Sequence, residues 1–252
     1  TRQTIMKSMG DTHVDIVLEK LSRKFGVDVV SKEMRIPYRE TIRGTVEAEG
    51  KHKKQTGGHG QYGHVWIKFE PTEEGEFVFE ENVFGGSVPR NYFPAVEKGL
   101  IEAMEEGVLA GYPVTNLKAT LYDGSYHSVD SSEMAFKMAA RLAYRKGLES
   151  AKPVLLEPIV NVEVEVPETY MGDIIGDMNS KRGRVMGMEP AGKKQVIKAQ
   201  APQAEMARYT IDLKSMTQGR GKFRMEFSHY EEVPGQIAEK IIEKARQEKE
   251  EK

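Results

Sequence analysis

The 252-residue chain carries 37 Lys and Arg against 39 Asp and Glu, a formal net charge of −2, which excludes a uniformly basic nucleic-acid binder. Hydrophobic residues make up 38% and charged residues 30%, as in a globular chain of one or two domains, or three small ones. The absence of cysteine excludes a disulfide scaffold, a thiol nucleophile and a Cys-ligated zinc site, and there is no run of about 18 apolar residues to span a membrane.

The first segment reads strand, helix, strand. Asp11 is placed to cap a helix whose apolar residues Val14, Val17, Leu18, Leu21 and Phe25 share one face, and Gly26 stops it. Val27 to Val30 is a short β-rich run. Three elements in about 36 residues enclose no core alone, so this is half a domain.

The middle segment opens near Pro37. Val65, Ile67 and Phe69 alternate in one strand, Phe77 and Phe79 in the next. A helix over residues 93–106 turns Val96, Leu100, Ile101 and Met104 inward. Leu117, Ala119 and Leu121 form another strand. Asp130-Ser-Ser-Glu133 reads as a capping box with Asp130 as N-cap. The helix behind it carries Met134, Met138 and Leu142 on one face and Lys137, Arg141 and Arg145 as a basic stripe on another.

The last segment begins after Pro153. Val160, Val162, Val164 and Val166 alternate with polar residues in a half-buried strand. A helix over 168–180, a strand over 183–188, a turn over 189–193 and a strand over 195–199 follow. Pro202 suits the first turn of a helix running to about Ser215, and Phe223, Met225 and Phe227 alternate in a final strand. The order β-α-β-β-α-β is ferredoxin-like. A Glu/Lys-rich helix closes the chain from Gln236. The fold class is α+β and multidomain.

Local charge is more informative than the total. Residues 51–68 hold four Lys and no acid, residues 181–198 hold six Lys or Arg against Glu189, and residues 214–224 hold four basic residues and no acid. Such basic loops on a near-neutral body can touch phosphate, and each is equally read as ordinary solvated surface. Gly58-His-Gly-Gln-Tyr-Gly63 fits the dinucleotide fingerprint by letter, but a strand rather than a helix follows it, so a Gly-rich hairpin loop remains. Residues 187–194 nearly fit a phosphate-binding loop, with Lys194 where the magnesium-binding hydroxyl belongs and strands on both sides. His127, beside Tyr126, reads as an exposed loop residue, a general base or an RNA contact. His52, His59 and His64 lack zinc-ligand spacing.

Taken together these stretches resemble the bacterial elongation factor G family. The resemblance rests on Gln55-Thr-Gly-Gly-His-Gly-Gln-Tyr-Gly-His64, Gly111-Tyr-Pro-Val114, the run from Leu121 to Phe136, the run from Glu168 to Arg184, Thr217-Gln-Gly-Arg-Gly221, and Met9-Gly-Asp-Thr-His13. It covers nearly the whole chain in family order.

The resemblance implies that residues 1–36 are the second half of ferredoxin-like domain III. Domain IV would be residues 37–152, with a left-handed βαβ crossover of the ribosomal-protein S5 domain 2 type. A ferredoxin-like domain V with its C-terminal helix would be residues 153–252. It implies a part in ribosomal translocation, with domain IV entering the small-subunit decoding site. Gly57, Gly58, His59, Gly60, Gln61, Tyr62, Gly63, Ser125, Tyr126 and His127 would contact the tRNA–mRNA duplex. Lys51, Lys53, Lys54, Lys137, Arg141 and Arg145 would lie near phosphate. Lys181, Arg182, Arg184 and Arg220 would meet large-subunit RNA near the GTPase-associated region.

No cofactor or metal is expected in this chain and it is not expected to be an enzyme. GTP and magnesium would belong to an N-terminal GTPase domain of the parent protein. A cytoplasmic monomer without membrane contact is expected. Three departures stand out: His59 replaces the family's loop Arg, Ser128 stands where an acid is common, and Ser8-Met-Gly-Asp-Thr-His13 leans toward elongation factor G-like paralogues. A paralogue with a recycling, backup or ribosome-protection role is therefore the alternative, and a stand-alone hydrolase using the Gly/His loop the remote one.

Overall fold

The computed structural model describes residues 3–6, 8, 11–32, 34–55, 58 and 60–250, the side chains of Asp11 and Glu250 excepted. In chain order the elements are α1 (Asp11–Phe25), β1 (Arg39–Ile42), β2 (Val46–Lys54), β3 (Gln61–Pro71), β4 (Phe77–Glu81) and α2 (Phe93–Met104). They continue with β5 (Leu117–Ser125), α3 (Glu133–Ser150), β6 (Pro153–Pro167), α4 (Met171–Ser180), β7 (Arg184–Ala191), β8 (Lys194–Pro202), α5 (Tyr209–Thr217), β9 (Lys222–Glu232) and α6 (Gly235–Glu250). The chain is mixed α+β and divides into two compact units. One joins residues 1–37 to 157–231, the other joins 38–156 to 232–252. The capping role read for Asp11 concerns a side chain outside the described residues.

In the first unit the β6-α4-β7-β8-α5-β9 order gives a sheet in which β6 lies between β9 and β8, with β7 beyond β8. That is the ferredoxin-like arrangement the pattern predicts. Val160, Val162, Val164 and Val166 of β6 are buried with Ile197 of β8, Ile174 and Met178 of α4, and Tyr209 and Leu213 of α5. Alternation from Val160 to Val166 puts these four Val on the helix side. Two expectations shift. Pro202 ends β8 instead of opening a helix, and α5 starts only at Tyr209, after a 3-10 turn over Gln203–Met206. The 187–194 stretch is the β7–β8 hairpin, paired up to Ala191 opposite Lys194, with Gly192 at φ 65° in its two-residue turn. Val27 to Val30 is coil rather than strand. Its β-branched residues need a neighbouring edge to pair with, and Val27, Val29 and Val30 stay exposed.

The second unit holds the four-stranded sheet β2-β3-β5-β4. β2, β3 and β5 pair antiparallel, while β4 runs parallel to β5, and α2 connects them. Val65, Ile67, Phe69, Leu117, Ala119 and Leu121 all face the helices and are fully buried. The helix faces differ from expectation. Ile101 of α2 is half exposed, and Met134 and Leu142 of α3 are exposed. What α3 buries is Ala135, Ala139, Ala143 and Gly147 beside Phe136, Ala140, Tyr144 and Leu148. Small residues win because the helix backbone lies almost on the sheet. A Cβ on Gly50 of β2 would stand 1.9 Å from the Ala139 carbonyl oxygen, and one on Gly63 of β3 would stand 2.4 Å from that of Ala135.

β1 pairs with the first residues of β6, Arg39 opposite Leu156 through Ile42 opposite Pro153. The sequence reading places the C-terminal helix with residues 153–252. By its contacts α6 falls in the compact unit of residues 38–156 and 232–252, where Lys249 Nζ lies 2.6 Å from Glu106 Oε1 on the turn after α2.

Candidate nucleic-acid interface

Two loops converge at one end of the β2-β3-β5-β4 sheet. The β2–β3 hairpin closes from Lys54 opposite Gln61, and β5 runs out to Ser125, opposite His64. Of the hairpin loop, Gly57 and His59 lie outside the described residues, as does Thr56. The rest is tied to the loop that precedes α3. The Gly60 amide donates to Asp130 Oδ1 at 3.0 Å, the Tyr62 amide to the Asp130 carbonyl at 2.8 Å, and Ser131 Oγ to the Tyr62 carbonyl at 2.9 Å. Asp130 is thus the clasp between the loops, and the N-cap of α3 is Ser132, whose hydroxyl accepts from the Ala135 amide. Asp, Ser and Ser in a row all suit an N-cap, so spacing alone does not single out Asp130's other task.

His127 stands on the clasped loop. Its amide donates to Ser131 Oγ at 2.9 Å. Its Nδ1 accepts from the amides of Val129 at 3.3 Å and Asp130 at 3.2 Å. The Asp130 carboxylate faces the same nitrogen, with Oδ2 3.5 Å from Nδ1. The His127 side chain is 54% exposed, and the Tyr62 ring lies 6.4 Å away, centroid to centroid. Tyr126 is exposed, Gly58 is exposed, and Gln61 Oε1 is 2.8 Å from His52 Nε2. Gly63 is buried under the first turn of α3. Its glycine serves the close helix approach.

On the sheet face away from the helices a polar chain crosses three strands. Glu49 Oε1 lies 3.0 Å from His64 Nε2, His64 Nδ1 lies 2.8 Å from Ser125 Oγ, and Tyr62 OH lies 2.7 Å from the same Oγ. The Glu–His–Ser order resembles a nucleophile relay, but the Ser125 hydroxyl is shared with Tyr62 and sits in strand register on a sheet face. The chain holds Tyr62 in place rather than priming a nucleophile. The sequence pattern makes Ser125 a tip contact and misses Glu49, which strand register alone brings opposite Trp66 and beside His64. On the same face burial and the nearby Glu47 carboxylate push the Tyr122 hydroxyl up to about 12. Ser125→Ala should lower the unit's stability by about 1 kcal/mol, since two partners lose one shared group. Urea denaturation followed by Trp66 fluorescence measures it.

The expected basic residues divide by geometry. Lys51 and Lys53 are exposed on the open face, with Lys51 Nζ 6.0 Å from the Tyr62 ring centroid. Alternation turns Lys54 to the opposite face. On α3, Lys137 Nζ binds Glu102 Oε1 of α2 at 2.5 Å, and Arg145 Nε reaches Glu149 at 3.4 Å one turn on. The Lys137 hydrogen bond holds the Glu102 carboxyl below its usual range. Arg141 is exposed. The stripe is therefore partly neutralised by α2, which no spacing rule reveals.

In the other unit Lys181 binds Asp177 at 3.3 Å and Asp212 at 2.8 Å. Arg182 forms a fork on Glu157, 2.6 and 2.9 Å, and reaches Glu205 at 3.0 Å. These two side chains are engaged within the unit and stay 17% and 26% exposed. Arg184 is exposed beside Glu231, and Arg220 is exposed after the left-handed Gln218 and Gly219. Among the described residues there is no group of three His, Cys, Asp or Glu placed to hold a metal, and no helix long and apolar enough to cross a membrane.

The architecture is a set of α+β modules whose basic loops lie outside their cores. Sequence-family comparison matches residues 1–33 to elongation factor G domain III, residues 34–152 to elongation factor G domain IV and residues 154–241 to the elongation factor G C-terminus. A crystal structure of a protein from Thermus thermophilus is similar at 46% identity with a TM-score of 0.88, over 94% of this chain and 36% of that one. The chain belongs to the elongation factor G family, and it spans about a third of the length of that solved relative.

Proposed function

We propose that this chain is the RNA-engaging part of a ribosomal translocation factor, divided as domain III to residue 36, domain IV over 37–152 and domain V from 153. The observation that supports the reading best is the clasp through Asp130. It holds Gly60 and Tyr62 against the His127 loop, with the Tyr126 and His127 side chains exposed and Lys51 and Lys53 on the adjoining face. Aromatic and imidazole groups on a loop end suit stacking and hydrogen bonding to bases, and the lysines suit phosphate. Partners in this reading are the small-subunit decoding site, tRNA and mRNA. Arg184 and Arg220 are the domain V groups left to meet large-subunit RNA.

GTP and magnesium belong, in this reading, to another domain. Residues 187–194 do not fit a nucleotide, because they form the β7–β8 hairpin and Lys194 Nζ is held by Glu165 Oε1 at 2.5 Å. The work of this chain is steric and electrostatic. Replacing Lys51 and Lys53 together by Ala should weaken ribosome binding and reduce its slope against log salt by roughly 0.7–0.9 per lost phosphate contact. Ribosome pelleting across a salt series measures this, and an affinity indifferent to salt would end the reading. A specialised paralogue is the second reading, favoured by residues 8–13 and by His59. A translocation assay on the intact parent separates the two.

A further inference from the structure

β4 and β5 are parallel, so β4 leaves the sheet at the same end at which β5 runs on toward the His127 loop. The chain that follows, residues 82–89, is anchored at both ends. The Asn82 amide donates to the Leu121 carbonyl at 2.8 Å. Val88 is buried beneath Gly124, where any Cβ would stand 2.6 Å from Val88 Cγ2. Beyond it, Tyr92 stacks on Phe136 with centroids 4.5 Å apart, and its hydroxyl donates to the Ser131 carbonyl at 3.4 Å. This third loop is therefore fastened to β5 and to the loop that precedes α3.

Between its anchors the loop presents an aromatic ring to solvent. Phe84 is 94% exposed, a placement that forgoes about 2 kcal/mol of burial. Gly85 and Gly86 follow at φ 68° and 72°, and two consecutive left-handed residues turn the chain back immediately behind the ring. The ring lines a half-open cavity of about 460 Å³, with Glu81, Asn82, Arg90 and Phe93 also among its walls. Arg90 and Asn82 are exposed.

We propose that Phe84 and this cavity form a binding site for one unpaired nucleobase of an RNA strand. The base stacks on Phe84, the Asn82 amide meets its edge, Glu81 accepts from an exocyclic amino group, and Arg90 binds the adjoining phosphate. Each partner matches a chemical part of a nucleotide: a flat ring for the base, an amide for its polar edge, a guanidinium for the anion. A duplex offers no free base face, so the site selects single-stranded RNA. The inference rests on the reading above that this end of the sheet faces RNA.

The test uses the full 252-residue chain and a fluorescein-labelled, unstructured RNA 12-mer, with the same sequence as a duplex for comparison. Phe84→Ala should weaken binding of the single strand about tenfold, with little change for the duplex. Phe84→Trp should preserve binding and show emission quenched on adding RNA, beyond any change in the Trp66 signal of the unaltered chain. Arg90→Ala should weaken binding and reduce the salt slope. Phe84→Leu keeps an apolar side chain without a stacking ring, so binding by Phe84→Leu equal to the unaltered chain overturns the proposal. If the Lys51 and Lys53 variant weakens while Phe84→Ala does not, the site proposal fails and the broader reading stands. If the unaltered chain binds neither RNA, both fail.

Discussion

Arg182→Ala should destabilise the unit of residues 157–231 by about 3–5 kcal/mol, one of the two largest effects expected in this protein. Glu157 is only 3% exposed, and the Arg182 fork supplies both of its oxygens with a donor. Removing the guanidinium leaves a buried carboxylate with no countercharge, which costs more than the pair itself contributes. The backbone adds a second, separable effect. Arg182 sits at φ 56°, where a side chain is disfavoured, just after α4. The Gly183 amide donates to the Met178 carbonyl at 2.7 Å, closing the helix end as a Schellman turn in which glycine usually holds the left-handed place.

Arg182→Gly should therefore be less harmful than Arg182→Ala by about 1 kcal/mol, since glycine removes the left-handed cost while losing the same ion pair. Arg182→Met with Glu157→Gln should recover most of the loss, because the uncompensated charge goes with its partner. Calorimetric unfolding of the three variants checks the order. A contact with RNA predicts something different: unchanged stability, weaker binding and a lower salt slope. Arg184 and Arg220 should give that second pattern.

Alternation marks β3, β5 and β6 in the sequence because each buries one face, and the period of two survives any tertiary arrangement. The order of elements in residues 153–232 is legible for the same reason. The inner face of α3 is not. Its buried residues are mostly Ala and Gly, while the large apolar Met134 and Leu142 stand exposed. Only the distance from Gly50 to Ala139 explains why small side chains belong inside.

Basic residues mislead in the same manner. Lys51 and Arg182 look alike in a charge count, yet one is exposed beside a ring and the other closes a helix over a buried acid 25 positions away. Asp130 looks like a cap and proves to be a clasp, because its partner Gly60 lies 70 residues off. Charge pattern locates candidate surfaces; the acids that neutralise them come from other elements, such as Glu102 of α2, Asp212 of α5 and Glu157 of β6.

The second large effect is expected at Glu40. Its side chain is almost fully buried, at 1% exposure, and it is encircled by main chain. Oε2 accepts from the Leu109 amide at 2.8 Å, and Oε1 accepts from those of Ala110 at 2.9 Å and Tyr112 at 3.0 Å. Its own amide donates to the Pro113 carbonyl and its carbonyl accepts from Thr115, both at 2.9 Å. The loop containing the Gly111-Tyr-Pro-Val114 motif is thus wound around one carboxylate from β1. Gly107 has to be glycine there, since a Cβ would stand 2.2 Å from the Glu40 carboxyl.

Glu40→Ala orphans three amide donors at once, and at about 1 kcal/mol or more for each it should cost about 3 kcal/mol or more. Glu40→Gln keeps one acceptor oxygen but turns an amide nitrogen toward N–H groups, so it should lose about half as much. Glu40→Asp keeps the charge but falls a methylene short of the amides. Thermal unfolding should fall by roughly 2–4 °C per kcal/mol in a chain of this size. Faster hydrogen exchange at Leu109, Ala110 and Tyr112 should accompany it, and unaltered protection of those three amides would refute the cradle. The loop enters β5 at Leu117, and His127 lies beyond the far end of that strand, after Ser125. Glu40→Ala should then lower stability while leaving RNA binding and its salt slope unchanged wherever the chain stays folded, which separates a structural loss from a loss of charge.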